Sequence, residues 1–256
     1  INPEGKITNP TWPAPVNSYF GLFSVLSDTI RKALGHFSPE QAVASMGFGL
    51  GALAVGHPQA RSGKGAVQYE LMQSSKGGTR LNDGREYAGS ATPVEIIEAE
   101  YPIRVRQFEW TKDTMGAGRF RGGPGNIKEY EALAPTSLTV RLGHQFKYSG
   151  WGVMGGGDPP TSRAYLITAD GKERVLRPLE TVQLQPGDRF GIEMPGGGGY
   201  GDPFERDADM VLQDVLDEFV SIAIAERDYG VVIDPATMAV DGQRTSQLRS
   251  SRQAAR

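Results

Sequence analysis

The sequence contains no cysteine, only three histidines and no long apolar run. Without cysteine the chain has no disulfides, no thiolate metal ligands and no cysteine nucleophile. No apolar stretch approaches the roughly 20 residues that a membrane-spanning helix needs. The formal net charge of -3 gives no positive field that would attract nucleic acid. From these absences we expect a soluble, cytoplasmic protein that binds neither nucleic acid nor a membrane.

Glycine and proline, in contrast, are abundant, with 34 and 17 of the 256 residues. Such a composition favours a β architecture with many constrained loops. The length is sufficient for a hydrophobic core. The chain begins at Ile1 in a proline-rich stretch, which we expect to be the interior of a longer or processed protein.

Apolar residues at spacings of three and four predict a first helix, which Asn17 caps and Gly35 ends. His36, just beyond it, is placed to meet the last carbonyls of that helix. Two strands are predicted after the helix, at 42–55 and 67–72.

Alternating residues predict antiparallel strands in the middle of the chain. One hairpin is expected around the turn Asp170-Gly171, and a second between 182–185 and 189–194 through Pro186-Gly187-Asp188. Asp207 and Ser221 are placed to cap two later helices. We therefore predict an α+β fold, mainly antiparallel β with glycine-rich loops and a few flanking helices.

Four segments follow from this pattern. They are a mixed helix and strand segment (1–102), a β-rich segment (103–204), a helical segment (205–241) and a polar, basic tail (242–256). The tail has little to bury, so we expect an arm that lies on a partner, or disorder.

The most informative stretch is Met-Pro-Gly-Gly-Gly-Gly-Tyr-Gly-Asp-Pro, residues 194–203. Gly196, Gly197, Gly198 and Gly199 give up side-chain packing and keep backbone N–H groups, which allows close approach. Either a ligand lies against this backbone or the chain makes a tight crossing with itself, and the glycines alone do not decide between the two.

Further candidate residues surround other polar loops. The polar loop 74–90 contains Arg85 and leads into Thr92-Pro93-Val94-Glu95, which predicts a capping box and a helix N-terminus that could bind an anion. Arg119 and Arg121 stand among glycines and could clamp a carboxylate or phosphate, or else form an ion pair that holds two loops together. The predicted substrate-binding residues are Arg85, Thr92, Glu95, Arg119, Arg121 and Gly196 to Gly199.

No catalytic residue can be assigned from the sequence. Glu95, Glu98 and Asp202 are possible general acids or bases, but Glu95 has a capping role and Asp202 begins an ordinary turn. No Gly-x-Ser-x-Gly elbow is present. His36, His57 and His144 show no paired ligand spacing, so we predict no metal site in this chain.

Several motifs, taken in order, resemble the hydantoinase B/oxoprolinase family. They are Thr92-Pro93-Val94-Glu95 with Glu98 and Tyr101-Pro102, Gly116-Ala117-Gly118-Arg119-Phe120-Arg121-Gly122-Gly123, Pro186-Gly187-Asp188 leading to Pro195-Gly196-Gly197-Gly198-Gly199-Tyr200-Gly201-Asp202-Pro203, and Asp228-Tyr229-Gly230-Val231-Val232. The resemblance covers the C-terminal half of a B-type subunit. Relatives of this kind include N-methylhydantoinase, 5-oxoprolinase and the acetone and acetophenone carboxylases.

The resemblance implies a subunit of a hetero-oligomeric, ATP-dependent enzyme. A hydantoinase A-like partner would bind ATP and Mg, and the N-terminal half of the B-type subunit, absent here, would hold a divalent metal, so this chain alone is expected to bind no cofactor. The reaction would be hydrolysis of a cyclic amide or carboxylation of a ketone, after phosphoryl activation in the partner. The alternative is a non-catalytic scaffold whose glycines serve only chain crossings and subunit contacts.

Overall fold

The computed structural model describes residues 3–6, 9–14, 19–45, 50–86, 92–141 and 145–253. The helices are α1 (Tyr19–Phe37), α2 (Val94–Glu100), α3 (Ala208–Leu216), α4 (Ile222–Tyr229) and α5 (Gly242–Gln253). The strands are β1 (Leu50–His57), β2 (Ala66–Gln73), β3 (Ile103–Thr111), β4 (Gly125–Ala132), β5 (Thr136–Arg141), β6 (Arg163–Ile167), β7 (Glu173–Leu176), β8 (Thr181–Leu184), β9 (Arg189–Met194), β10 (Ile233–Asp234) and β11 (Ala239–Val240). The predicted α+β class, mainly antiparallel, is confirmed.

Two antiparallel sheets enclose the main core. Their strand orders are β2-β1-β5-β8 and β3-β4-β9-β6-β7. Leu53, Leu138 and Leu184 from the first sheet join Phe190 and Ile192 from the second in one buried cluster. Segments 1–102 and 103–204 therefore contribute to the same core.

The hairpin predicted around Asp170-Gly171 is confirmed, because β6 and β7 pair directly and Gly171 has a φ of 85°. The hairpin predicted for 182–194 is wrong. Strand β8 pairs with β5, whereas β9 lies between β4 and β6 in the other sheet. The turn at Pro186-Gly187 carries the chain from one sheet to the other, because Leu184 and Phe190 pack into the core from opposite sides.

The first helix ends at Phe37 rather than at Gly35, and its predicted cap, Asn17, lies outside the described residues. The strand predicted at 42–55 begins only at Leu50. Residues 46–49, inside that prediction, also lie outside the described ranges.

The helical part has a second core around Val211, Val215 and Tyr229. The predicted caps are confirmed: Asp207 accepts a hydrogen bond from Asp209 N, and Ser221 accepts one from Ile224 N.

The predicted disorder is wrong for the described tail residues 242–253, which form helix α5, whereas an arm that lies on a partner stays a prediction. Buried Thr245 accepts a hydrogen bond from Val232 N. Arg249 donates hydrogen bonds to the carbonyls of Tyr229 and Arg206. These polar contacts fix a helix that has little apolar surface to bury.

Candidate functional site

Four glycine-rich loops meet where β2 and β9 end and β4 begins, and we call them the glycine layer (74–84, 114–124, 150–157 and 195–201). Their main chains bond directly to one another. Gly197 N donates to Gly123 O (3.0 Å), and Gly197 O accepts from Gly116 N (2.9 Å). Gly198 O accepts from Gly78 N (2.8 Å) in the same way.

Glycine is required at the centre of this layer for steric reasons. A Cβ on Gly196, Gly197, Gly198 or Gly199 would lie closer than 3.0 Å to main-chain atoms of a neighbouring loop. All four residues are buried. Of the two alternatives from the sequence, the tight crossing accounts for these glycines, and contact between them and a substrate stays a prediction.

Arg121 is buried in an ion-pair network next to the glycine layer. Its Nε lies 2.6 Å from Asp214 Oδ1, and Arg206 Nη2 lies 2.9 Å from Asp214 Oδ2. Arg206 also binds both carboxylate oxygens of Asp83, at 2.7 and 2.8 Å. Burial alone would lower the pKa of Arg206, but the hydrogen bond to Asp83 and the charge of Asp214 raise it. Arg121 thus forms an ion pair, as the second alternative from the sequence predicts, but its partner Asp214 lies on helix α3 and not on a second loop.

Two of the other predicted residues have exposed side chains: Arg85, which directly follows a loop of the layer, and Arg119, which lies in one. The carbonyl of Arg85 accepts from Lys76 N, and Arg119 Nη1 lies 3.7 Å from Glu205 Oε2 at the surface. Both guanidinium groups are accessible to an anion, so their predicted role in binding is compatible with their position.

Thr92 and Glu95 do not form the predicted capping box. Pro93 is the N-cap residue of α2 and makes no side-chain cap, so the helix starts one residue later than predicted and Glu95 moves from N3 to N2. Both side chains are exposed, and within the described ranges neither is hydrogen-bonded to the glycine layer. Glu98, considered as an acid or base, accepts from Val105 N and so fixes the start of β3.

A cleft of about 480 Å³, which no feature of the sequence predicts, lies between the glycine layer and the helical part. Its apolar lining includes Met115 and Ala117 from the glycine layer, and Val220 and Ile224 from the helical part. Because the walls come from segments about 100 positions apart, no local pattern indicates this cleft.

Polar groups stand around these apolar walls. Asp113, Asp158, Arg227 and Asp228 contribute to the lining. Tyr229 also lines the cleft, is 1% exposed, and its hydroxyl has no hydrogen-bond partner among the described residues. Burial raises the pKa of Tyr229, so the hydroxyl stays protonated. The cleft can hold a small, mainly apolar molecule, and its carboxylates can accept hydrogen bonds from N–H groups of that molecule.

Metal ligation finds no support in the ranges that the structure describes, which contain no group of three or more His, Asp or Glu side chains placed to hold an ion. His144 lies outside those ranges. None of the helices described is long and apolar enough to span a bilayer.

Comparison with known proteins shows the family. Residues 1–203 match the model of the hydantoinase B/oxoprolinase family, and the chain belongs to this family. An uncharacterized protein of Methanocaldococcus jannaschii is 36% identical over 97% of this chain and 44% of its own length. The crystal structure of ATP-dependent caprolactamase from Pseudomonas jessenii matches with a TM-score of 0.79 and 31% identity, over 98% of this chain and 46% of that one.

A more distant match is the nucleotide-free structure of acetone carboxylase. It has a TM-score of 0.75 and 20% identity, over 99% of this chain and 40% of that chain, and shows the shared fold. In each of these comparisons the chain spans less than half the length of the protein it matches.

Proposed function

We propose that this chain forms the C-terminal part of a B-type subunit in an ATP-dependent complex that hydrolyses a cyclic amide. The observation that carries the proposal is the structural match to ATP-dependent caprolactamase, at 31% identity over 98% of the chain. The partners we propose are a hydantoinase A-like subunit that binds ATP and Mg, and the N-terminal half of the B-type subunit.

The chemistry explains why such a complex needs ATP. An amide carbonyl is a weak electrophile because the nitrogen lone pair is delocalised into it. ATP in the partner would supply a phosphoryl group to the amide oxygen and so make the carbonyl carbon reactive towards water. A divalent metal, if the reaction uses one, would be held by the N-terminal half, since the described residues here offer no ligand cluster.

The contribution of this chain would be to bind and orient. The apolar walls at Met115, Ala117 and Ile224 suit the methylene groups of a small lactam or the side chain of a hydantoin. Carboxylates at the cleft, such as Asp158, could accept the ring N–H. The glycine layer would hold one wall rigid, because its loops bond to each other through main chain.

Carboxylation of a ketone remains the second candidate, and the observation in its favour is the fold shared with acetone carboxylase. A non-catalytic scaffold role within such a complex is the remaining alternative.

The test begins with the native complex. All its chains would be identified by mass, and ATP turnover would be assayed with hydantoin, 5-oxoproline, caprolactam, and acetone with bicarbonate. We expect turnover with one of the three cyclic amides. Turnover with acetone and bicarbonate alone would favour the carboxylase, and no turnover with any substrate would count against both activities.

The role of the cleft has a matched pair of variants. Ile224→Trp places a large ring in the cleft, whereas Ala223→Trp places the same ring on the exposed side of α4. We expect Ile224→Trp to raise the KM for the amide at least about tenfold. A tenfold weaker affinity corresponds to a loss of about 1.4 kcal/mol of binding free energy. Ala223→Trp should leave KM unchanged. Equal KM values for both variants would place the substrate elsewhere.

A further inference from the structure

Helix α1 has its apolar side on the outside. Phe23, Leu26, Ile30, Leu34 and Phe37 recur at spacings of three and four, so they form one stripe along the helix, and their exposed fractions run from 48% to 89%. A helix on the surface of a self-contained domain normally buries such a stripe.

The side of α1 that faces the domain is polar or small instead. Asp28 is buried and accepts a hydrogen bond from Ser45 Oγ (3.1 Å). Arg31 and Gly35, three and seven residues further on, are half-buried on the same side. The amphipathic pattern of α1 is therefore inverted with respect to this domain.

Strand β2 is inverted in the same way. Its inward residues include Gln68 and Glu70, which are buried and hydrogen-bonded to each other. The alternate residues Val67, Tyr69 and Leu71 point outwards and are all exposed. An antiparallel sheet with one solvated face normally shows the opposite alternation.

These two surfaces adjoin each other. Helix α1 packs against β1. On the outward face of β1, Ala54 and Gly56 lie in register with Tyr69 and Val67 of β2. Small residues on β1 and large ones on β2 form a shallow apolar shelf beside the α1 stripe, and the two surfaces together expose eight large apolar side chains. Large exposed apolar patches mark interaction sites.

We infer that the α1 stripe and the β2 shelf form one docking surface, and that its occupant is the N-terminal half of the same B-type subunit. This inference deepens the proposed function and rests on it for the identity of the partner. The support is the length of polypeptide outside this chain: the matched relatives carry more than half of their length beyond it. Such a half is large enough to bury a helix face and the outer face of an edge strand.

The absence of cysteine allows a direct test in the intact complex. Leu34→Cys on α1 and Leu71→Cys on β2 place single thiols on the surface, and Val175→Cys on β7 is the matched control because Val175 is 58% exposed on the other sheet. Maleimide labelling of each site would be followed by peptide mass. We expect labelling at residues 34 and 71 to be at least about tenfold slower than at residue 175.

A photocrosslinking residue at position 30 or 69 identifies the occupant. Crosslinks to the N-terminal half of the B-type subunit support the inference. Crosslinks to a second copy of this chain, crosslinks to the ATP-binding subunit, or labelling as fast as at the control would each overturn it. ATP turnover measured on the same preparations separates the two proposals, because protected sites without turnover would count against the function and not against the docking surface.

Discussion

At the scale of single residues, the glycine layer depends on the absence of side chains. Gly197 and its neighbours are surrounded by main-chain carbonyls rather than by flexible side chains. Backbone cannot move aside without breaking the hydrogen bonds that link the four loops. The glycines therefore serve packing first, whatever the layer binds.

Gly197→Ala is expected to destabilise the fold strongly. Its Cβ would overlap the carbonyl of Lys76, and overpacking in a rigid site costs about 1–3 kcal/mol or more. Urea unfolding measures the difference. Gly242→Ala is the control because no atom lies within 4 Å of its added Cβ and the position is in α5. Equal stability of the two variants would contradict the steric argument.

His57 is expected to make stability depend on pH. It is 2% exposed, its ring stacks on Tyr101, and burial lowers its pKa below the usual 6.5. As the pH falls below about 6.5, the unfolded chain binds a proton that the folded chain does not, so the free energy of unfolding decreases down to the folded-state pKa.

The measurement is urea unfolding between pH 7.5 and 5.5. His57→Gln should flatten this part of the stability profile relative to the wild type. An unchanged slope in His57→Gln would show that other groups cause the dependence.

At the scale of elements, partners outside the element decide what forms. Helix α5 is polar, yet it packs against the helical part, because Thr245 and Arg249 form hydrogen bonds with main-chain groups that precede it in the chain. Strand β8 does not pair with β9, its expected hairpin partner, because it forms hydrogen bonds with β5 and buries Leu184 in the main core.

Thr245→Val tests how α5 is attached. The side chain keeps its shape but no longer accepts from Val232 N, and a buried unsatisfied donor costs about 1–3 kcal/mol. Unfolding should show this loss, and amide exchange at Val232 should accelerate. Ser246→Ala, on the exposed side of α5, should change stability by less than about 0.5 kcal/mol. If both variants behave alike, the hydrogen bond does not hold the helix.

At the scale of the whole molecule, a buried ion pair joins the two sheets. Lys128 Nζ of β4 lies 3.1 Å from Glu70 Oε2 of β2, and both side chains are no more than 5% exposed. Lys128 also lies over the Phe108 ring, 4.5 Å from its centroid. At this position an ion pair, and not an apolar contact, therefore joins the two sheets.

Removing one partner should cost more than removing both. Lys128→Met leaves Glu70 as an uncompensated buried charge and should cost about 3–5 kcal/mol. The double variant with Glu70→Leu should be much more stable than the sum of the single changes predicts. Lys112→Met, from the exposed pair with Glu218, is the control and should cost less than about 1 kcal/mol. Additive single effects would mean that the pair is not coupled.

The sequence was a reliable guide where the signal is local. Asp207 and Ser221 cap their helices, and Asp170-Gly171 closes its hairpin, because each feature involves residues only a few positions apart. The motifs of the glycine loops also pointed to the family that the comparison shows. The capping box at Thr92 failed although it is local, since Pro93 itself takes the N-cap position.

The candidate site was less predictable because its contacts are not local. Arg121 meets Asp214, 93 positions away, and nothing near Arg121 in the sequence indicates this partner. The cleft, likewise, exists only once the helical part folds back onto the glycine layer.

The sequence by itself determined where many of the strands and helices form. It also excluded disulfides and thiolate chemistry, and it supplied the glycines that a close crossing of the chain requires. Only the tertiary structure decided which strands share a sheet, which cation is neutralised, and which apolar face stays outside. The physical reason is that turns and caps are settled by neighbours along the chain, whereas pairing, burial and charge compensation depend on groups that meet only in the folded molecule.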